Sequence, residues 1–191
     1  MALSQRFEKA LVWATQLHAG QYRKGTNVPY ISHLLGVTSL VLENGGDEDE
    51  AIAALLHDAA EDQGGRATLQ EIRRRFGSRV ADIVKGCSDA MTWPKPPWRA
   101  RKEAYIAHLS HATASELLVS AADKLHNARS ILADYRTLGE ALWQRFNGGK
   151  EGTLWYYRTL LQVLGENGPA PLAEELARVV SEIERLARRL P

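Results

Sequence analysis

A short segment of the sequence, residues 53–62, changes abruptly from apolar to acidic. It reads Ala-Ala-Leu-Leu-His-Asp-Ala-Ala-Glu-Asp and contains His57, Asp58, Glu61 and Asp62. Residues three or four apart are neighbours on a continuous helix, so the spacing predicts that these four side chains lie on one side of it. Carboxylates this close repel one another, and burying them without compensation is costly. The segment therefore requires a bound cation or full exposure, and the apolar residues before it favour the cation.

The side chains of this segment indicate which cation would bind. Histidine and carboxylate together suit Mn²⁺, Fe²⁺ or Zn²⁺, whereas Mg²⁺ and Ca²⁺ prefer sites built from oxygen alone. His57 and Asp58 are adjacent and project about 100° apart on a helix, so they share an ion only if it lies between them and other helices supply further ligands. Two candidates are His33, which follows Pro-Tyr-Ile-Ser, and Asp123, which interrupts the largely apolar residues 117–122.

Helical periodicity dominates the chain and predicts an all-α fold. Phe7, Leu11, Ala14 and His18 recur at spacings of four, three and four residues, which puts His18 near the core side of an opening helix. Further helices are predicted over residues 31–43, 47–62, 78–85, 99–109, 115–135, 138–146 and 150–164. Because the chain contains no linker and no internal repeat, residues 1–191 are predicted to form a single helical bundle of roughly eight to ten helices.

Capping boxes predict where two of the helices begin. In such a box, the side chain at the cap and an acid three residues later bond each other's backbone N–H groups. Asp47 and Glu50 form one candidate, directly after the helix-ending run Asn-Gly-Gly. Thr68 and Glu71 form the other.

Two segments allow more than one interpretation. Residues 92–98 read Thr-Trp-Pro-Lys-Pro-Pro-Trp, and a loop is predicted because three prolines exclude a helix. Trp93 and Trp98 in this loop either cover a site or pack on their own domain. The last helix has an apolar stripe, which either packs the bundle or forms a homodimer. The stripe consists of Leu172, Leu176, Val179, Ile183, Leu186 and Leu190.

The overall composition is that of an ordinary globular domain. Hydrophobic residues make up 45% and charged residues 25%, and the formal net charge is +1. Such a balance gives no global positive field for DNA or RNA, although a local site for a small anion remains open. The single cysteine, Cys87, excludes an intrachain disulfide and indicates a reducing compartment. Since no apolar run approaches the ~20 residues of a membrane span, we expect a cytoplasmic protein that does not enter membranes.

Five segments together resemble the HD phosphohydrolase superfamily, and within it the small alarmone hydrolases. The segments are Gln21-Tyr-Arg-Lys24, Pro29-Tyr-Ile-Ser-His33, His57-Asp-Ala-Ala-Glu-Asp62, Phe76-Gly77 and Ala122-Asp-Lys-Leu-His-Asn127. They match the family in order and approximate spacing, over roughly residues 7–160. A His-Asp doublet alone arises often by chance, whereas five segments in register form a specific pattern.

The resemblance implies a role for each candidate residue. One divalent ion, Mn²⁺, would be held by His33, His57, Asp58 and Asp123. Glu61 and Asp62 would orient and deprotonate the attacking water. The nucleotide substrate would be contacted by Arg23, Lys24, Asn127 and Lys124.

The activity that the resemblance implies is hydrolysis of an alarmone. Such an enzyme removes the 3′-pyrophosphate from (p)ppGpp or from its adenosine counterpart (pp)pApp and releases pyrophosphate. This chain departs from the family's pattern after Asp89, where it continues with Ala-Met-Thr-Trp and the proline-rich loop. The departure leaves the preferred base open.

Two alternatives also remain open at this stage. A metal and acidic residues do not by themselves identify the leaving group. Another nucleotide phosphoester, such as the 2′-phosphate of NADPH, is therefore a second candidate for the substrate. The other alternative is a nucleotide sensor that binds but barely turns over. A pure binder would not require Glu61 and Asp62, and their presence therefore favours catalysis.

Overall fold

The computed structural model describes residues 2–92 and 94–188, and most of these residues are helical. The helices are α1 (Gln5–Leu17), α2 (Ile31–Glu43), α3 (Glu48–Leu56), α4 (Ala59–Asp62), α5 (Gly65–Phe76), α6 (Ser78–Cys87), α7 (Trp98–Leu109), α8 (Ala114–Leu138), a 3-10 helix (Gly139–Arg145), α9 (Gly149–Asn167) and α10 (Ala170–Ala187). Within these described ranges, extended backbone pairs only in an isolated bridge between Tyr22 and Pro29. The predicted all-α fold is confirmed.

Helix α3 lies at the centre of the bundle. Asp47 accepts a bond from the backbone N–H of Glu50, and Glu50 accepts one from the N–H of Asp47, so the predicted capping box is present. Residues 51–56 are completely buried, and the helix packs against α1, α2, α6 and α8. A helix that is apolar on every side has to be surrounded in this way. The acidic residues that follow it therefore begin inside the protein.

The predicted continuous helix over residues 47–62 is interrupted at the doublet. Helix α3 ends at Leu56 and α4 begins at Ala59, with His57 and Asp58 between them. Asp58 has φ −93° and ψ −7°, away from ordinary α-helical values near −63° and −42°. On an unbroken helix these adjacent side chains would diverge, whereas here His57 Nε2 lies 3.0 Å from Asp58 Oδ2. The interruption therefore allows the side chains of His57 and Asp58, which are adjacent in sequence, to approach the same position.

The second predicted capping box is wrong. Helix α5 begins at Gly65, with Gly64 at its cap, so Thr68 and Glu71 lie inside the helix. The hydroxyl of Thr68 donates to the backbone oxygen of Gln63. Gly64 and Gly65 both have positive φ angles, which allow the chain to turn sharply out of α4.

Residues 92 and 94–97 lie outside the helices, as the predicted loop requires, and Trp98 packs on its own domain. It is the first residue of α7, and its ring lies 6.3 Å from that of Trp155 and 6.4 Å from that of Tyr156, centroid to centroid. The prediction that Trp93 covers a site lies outside the described residues.

The apolar stripe of the last helix is used within the chain. Leu172, Leu176, Val179 and Ile183 are buried, and α10 packs against α8 and α9. Leu190 lies outside the described residues, and the homodimer stays a prediction. Among the helices of the described part, none has the length and apolar character that crossing a membrane requires.

Candidate metal centre and adjoining cavity

Two histidines and two aspartates meet where α2, the α3–α4 turn and α8 come together. His33 Nε2 lies 3.6 Å from Asp58 Oδ2 and 3.2 Å from Asp123 Oδ1. His57 Nε2 lies 3.0 Å from Asp58 Oδ2 and 3.6 Å from Asp123 Oδ1. The structure thus brings together all four side chains that the sequence nominated as metal ligands.

The imidazole nitrogens of this cluster fit a divalent cation. His33 Nε2 and His57 Nε2 are both buried and have no hydrogen-bond partner in the described part of the protein. His57 Nδ1 donates to the backbone oxygen of Ala54 at 2.8 Å, which leaves the lone pair of a neutral imidazole on Nε2. Two such nitrogens facing two carboxylates form a donor set for a borderline divalent ion.

Each aspartate of the cluster is held by a neighbouring donor. The Tyr30 hydroxyl donates to Asp58 Oδ2 at 2.6 Å, the Asn127 amide donates to Asp123 Oδ1 at 2.6 Å, and the Lys124 ammonium donates to Asp123 Oδ2 at 2.5 Å. Burial alone would raise the pKa of Asp123, but the adjacent Lys124 ammonium holds it well below its ordinary value. The carboxylates are therefore ionised and oriented before any ion binds.

Glu61 and Asp62 lie on α4, directly after the doublet. Glu61 accepts hydrogen bonds from the Lys95 ammonium at 2.9 Å and from the backbone N–H of Asp89 at 3.2 Å. Asp62 accepts one from the Gln21 amide at 2.8 Å. Burial, followed by the charge of Asp89, raises the pKa of Glu61, and burial, followed by the charge of Asp58, raises that of Asp62. A carboxylate with a raised pKa accepts a proton more readily near neutral pH.

Asp89 connects Glu61 to α7. Its carboxylate is only 5% exposed and accepts bonds from Arg101 and Lys102, both at 2.6 Å. Burial would raise the pKa of Asp89, but Lys102 and its other hydrogen-bond partners lower it to about 2. The segment that carries the N–H donor to Glu61 is therefore fixed by two ion pairs.

His126 contacts the cluster from α8. His33 Nδ1 and His126 Nδ1 are 2.9 Å apart. Burial, followed by the neighbouring His33 and Arg23 side chains, lowers the pKa of His126 to about 4. His18, predicted near the core, is buried, and its Nδ1 lies 2.7 Å from the side-chain oxygen of Gln21, the residue that holds Asp62.

A cavity of about 430 Å³ adjoins the cluster. Its basic lining residues are Arg23, Lys24, Lys102, Lys124 and Arg145, and its aromatic lining residues are Tyr30, Trp98, Phe146, Tyr156 and Tyr157. All four residues that the sequence nominated for substrate binding, Arg23, Lys24, Asn127 and Lys124, line this cavity. Arg23 donates to the Asn127 side chain at 2.7 Å, and Asn127 in turn holds Asp123, so the cavity and the cluster share one hydrogen-bond chain.

Sequence reasoning missed several residues of the site. Asp89 and Lys95 bond Glu61, and Lys102 bonds Asp89, from segments far along the chain that no periodic pattern links to Glu61. Tyr30 had a usable signal because it lies three residues before His33, one helical turn away. His126 had the same signal, since it lies three residues after Asp123.

The sequence model of the HD domain family matches residues 10–154. The chain belongs to this family. The match covers more than half of the chain and includes all four residues of the cluster, so the HD domain accounts for the fold and for the position of the candidate metal centre.

Relatives of this HD domain include alarmone hydrolases of animals and bacteria. The guanosine-3′,5′-bis(diphosphate) 3′-pyrophosphohydrolase MESH1 of Xenopus tropicalis is 39% identical over 126 residues, which cover 64% of this chain and 68% of that protein. The bifunctional (p)ppGpp synthase/hydrolase SpoT of Escherichia coli is 30% identical over 199 residues, which cover 96% of this chain and 26% of SpoT.

Two solved structures share the fold. A protein described as a metazoan ortholog of SpoT that hydrolyses ppGpp aligns with a TM-score of 0.79 at 23% identity, over 96% of this chain and 98% of its own. The protein lmo0812 of Listeria monocytogenes aligns with a TM-score of 0.71 at 29% identity, over 80% of this chain and 99% of its own. The ten α-helices of the described residues therefore adopt a known HD-domain arrangement.

Proposed function

We propose that this protein is a metal-dependent hydrolase that removes the 3′-pyrophosphate from (p)ppGpp or (pp)pApp. One observation carries the proposal: two buried imidazole nitrogens, which have no hydrogen-bond partner among the described residues, face two ionised aspartates at the edge of a cavity lined by basic and aromatic side chains. The names of the relatives, which include 3′-pyrophosphohydrolases of guanosine bis-diphosphate, support the substrate class.

The ion would be held by His33, His57, Asp58 and Asp123, and we propose Mn²⁺ because the donor set mixes imidazole with carboxylate. A divalent ion held there would supply Lewis acidity toward a phosphoryl oxygen and would lower the pKa of a bound water. The two aspartates bring the negative charge that offsets the ion, and their bonds to Tyr30, Asn127 and Lys124 fix their direction.

Glu61 and Asp62 would take the proton from the attacking water. The water adds to the phosphorus nearest the ribose, the bond from that phosphorus to the 3′-oxygen breaks, and the 3′-oxygen acquires a proton as pyrophosphate leaves. Both carboxyls have raised pKa values because they are buried near other acids. Lys95 and the Asp89 N–H hold Glu61, while Gln21 holds Asp62, so neither base has to be ordered during the reaction.

The cavity suits a hyperphosphorylated nucleotide. Its basic residues offer charge to phosphates, and a guanidinium such as that of Arg23 can either stack on a base or bond a phosphate through two N–H groups. The aromatic residues offer flat apolar surfaces to a purine. Because guanine and adenine share this shape, we propose the substrate class as purine alarmones.

A parallel turnover assay tests the proposed function. The purified protein, supplied with Mn²⁺, is incubated separately with ppGpp, ppApp and NADPH, and the products are resolved by anion-exchange chromatography. We expect pyrophosphate from an alarmone and loss of this activity in Asp58→Ala. Release of orthophosphate from NADPH alone would support the 2′-phosphatase alternative. Binding of an alarmone without turnover would support the sensor alternative.

A further inference from the structure

The two histidines of the cluster are held at Nδ1 by different kinds of acceptor. His57 Nδ1 donates to a backbone oxygen, that of Ala54, which no substitution of a side chain removes. His33 Nδ1 has a side chain opposite it, His126 Nδ1, at 2.9 Å. One histidine is therefore oriented by the main chain, while the other depends on the identity of residue 126.

The chemistry of His33 decides which ring donates. His33 Nε2 faces Asp58 and Asp123 and can bind a cation only through its lone pair, so the proton of the neutral ring must be on Nδ1. His33 then donates and His126 Nδ1 accepts. A histidine with the proton on Nε2 instead would direct an N–H at the position of the ion.

The backbone makes room for the His126 ring at Gly36. A Cβ atom at residue 36 would lie 2.3 Å from Cδ2 and 2.4 Å from Nε2 of His126. Gly36 is in the interior of α2, where glycine is less favourable than alanine. A left-handed backbone conformation is not the reason for the glycine, because Gly36 is not among the glycines with positive φ. The close approach of the ring explains the glycine.

We propose that His126 is a positioning residue of the metal centre, which accepts a hydrogen bond from the Nδ1–H group of His33 and thereby keeps the lone pair of His33 on Nε2. Gly36 is part of the same arrangement, because the absence of a side chain at this position lets the His126 ring approach α2. The inference rests on the metal site proposed above but not on the substrate. Partners of metal-bound histidines typically contribute about 10- to 100-fold to metal affinity.

Titration of the metal-free protein with Mn²⁺ tests the inference, with free Mn²⁺ followed by electron paramagnetic resonance. His126→Phe fills the space without an acceptor, and we expect about 10- to 100-fold weaker binding. His126→Asn keeps an acceptor oxygen near the Nδ1 position, and we expect most of the affinity to return. Gly36→Ala displaces the ring without changing it and should weaken binding as well. His111→Ala, at an exposed histidine, is the matched control.

The outcomes separate this inference from the proposed function. Wild-type affinity in His126→Phe would overturn the inference while leaving the metal site in place. Equal loss in His126→Phe and His126→Asn, with both variants folded by circular dichroism, would assign the effect to packing and also overturn it. A wild-type protein that binds no Mn²⁺ would overturn the metal site itself. None of these outcomes depends on a measurement of turnover.

Discussion

Among the single residues of the site, Glu61 is the one proposed to take the proton from the attacking water. Its carboxylate is held by Lys95 and by the Asp89 N–H, and its pKa is raised by burial. Glu61→Gln keeps the shape and removes the base. We expect kcat for ppGpp to fall about 10²- to 10⁴-fold with little change in KM, because general base catalysis contributes on this scale. Steady-state kinetics measure kcat and KM, and elemental analysis checks that the variant still binds metal. A kcat near the wild-type value would show that Glu61 is not the general base.

The raised pKa of Glu61 also predicts a dependence of stability on pH. A carboxyl whose pKa is higher in the folded state binds more protons there, so its contribution to stability is present at low pH and is lost as pH rises through the raised pKa. Glu61→Gln cannot ionise. The ordinary pKa of a glutamate is about 4.5. In the metal-free proteins, we therefore expect the Tm of Glu61→Gln to increase relative to that of the wild type as pH rises above this value. Thermal melts of both proteins from acid to neutral pH check this, and a gap that narrows with pH would contradict it.

At the scale of elements, the loop before α7 depends on a buried ion-pair cluster. Asp89 is paired with Arg101 and Lys102, and all three side chains are mostly buried. Asp89→Asn leaves two cations without their counter-ion, and we expect a loss of about 3–5 kcal/mol in the free energy of unfolding, as for other broken buried pairs. Urea denaturation measures the change.

A surface pair provides the control for this substitution. Asp82 is 61% exposed and pairs with Arg73, so Asp82→Asn should change stability by less than about 1 kcal/mol. If Asp89→Asn cost no more than Asp82→Asn, the buried cluster would not be what fixes the loop before α7.

The elements also indicate what a sequence can predict. The helix over residues 31–43 and the Asp47–Glu50 box follow from local chemistry, and the structure has both. The interruption at His57 and Asp58 could not be predicted, because the flanking alanines favour an uninterrupted helix. Thr68 failed as a cap because Gly64 and Gly65 turn the chain earlier. Tertiary packing around His57 and Asp58 therefore outweighs the helix propensity of the alanines that flank them.

The residues of the candidate site also fall into two groups, those that the sequence could predict and those that it could not. His33, His57, Asp58 and Asp123 could be nominated because their residue types and register are unusual within apolar helices. The contacts of Asp89 with Glu61 and of His126 with His33 join segments 28 and 93 residues apart. Only packing of the helices brings such residues together, so the sequence could indicate the candidate ligands but not the groups that orient them.

In the whole molecule, the candidate metal centre joins α2, α3, α4 and α8, so metal binding should stabilise the fold. An ion that binds only the folded chain stabilises it by RT ln(1 + [L]/Kd), which is about 2.7 kcal/mol at a concentration 100 times Kd. We expect EDTA to lower the Tm and added Mn²⁺ to restore it. Asp58→Ala should show no response to either, as measured by differential scanning fluorimetry. A Tm in the wild type that is insensitive to EDTA and Mn²⁺ would contradict a centre that ties these helices together.

A product balance for ppGpp hydrolysis, with and without Mn²⁺, tests the proposed activity and its dependence on metal in one measurement. We expect one pyrophosphate and one GDP for each ppGpp consumed, no orthophosphate, and no turnover in EDTA or in Asp58→Ala. Release of orthophosphate, or undiminished turnover in EDTA, would contradict the assignment of a metal-dependent 3′-pyrophosphohydrolase.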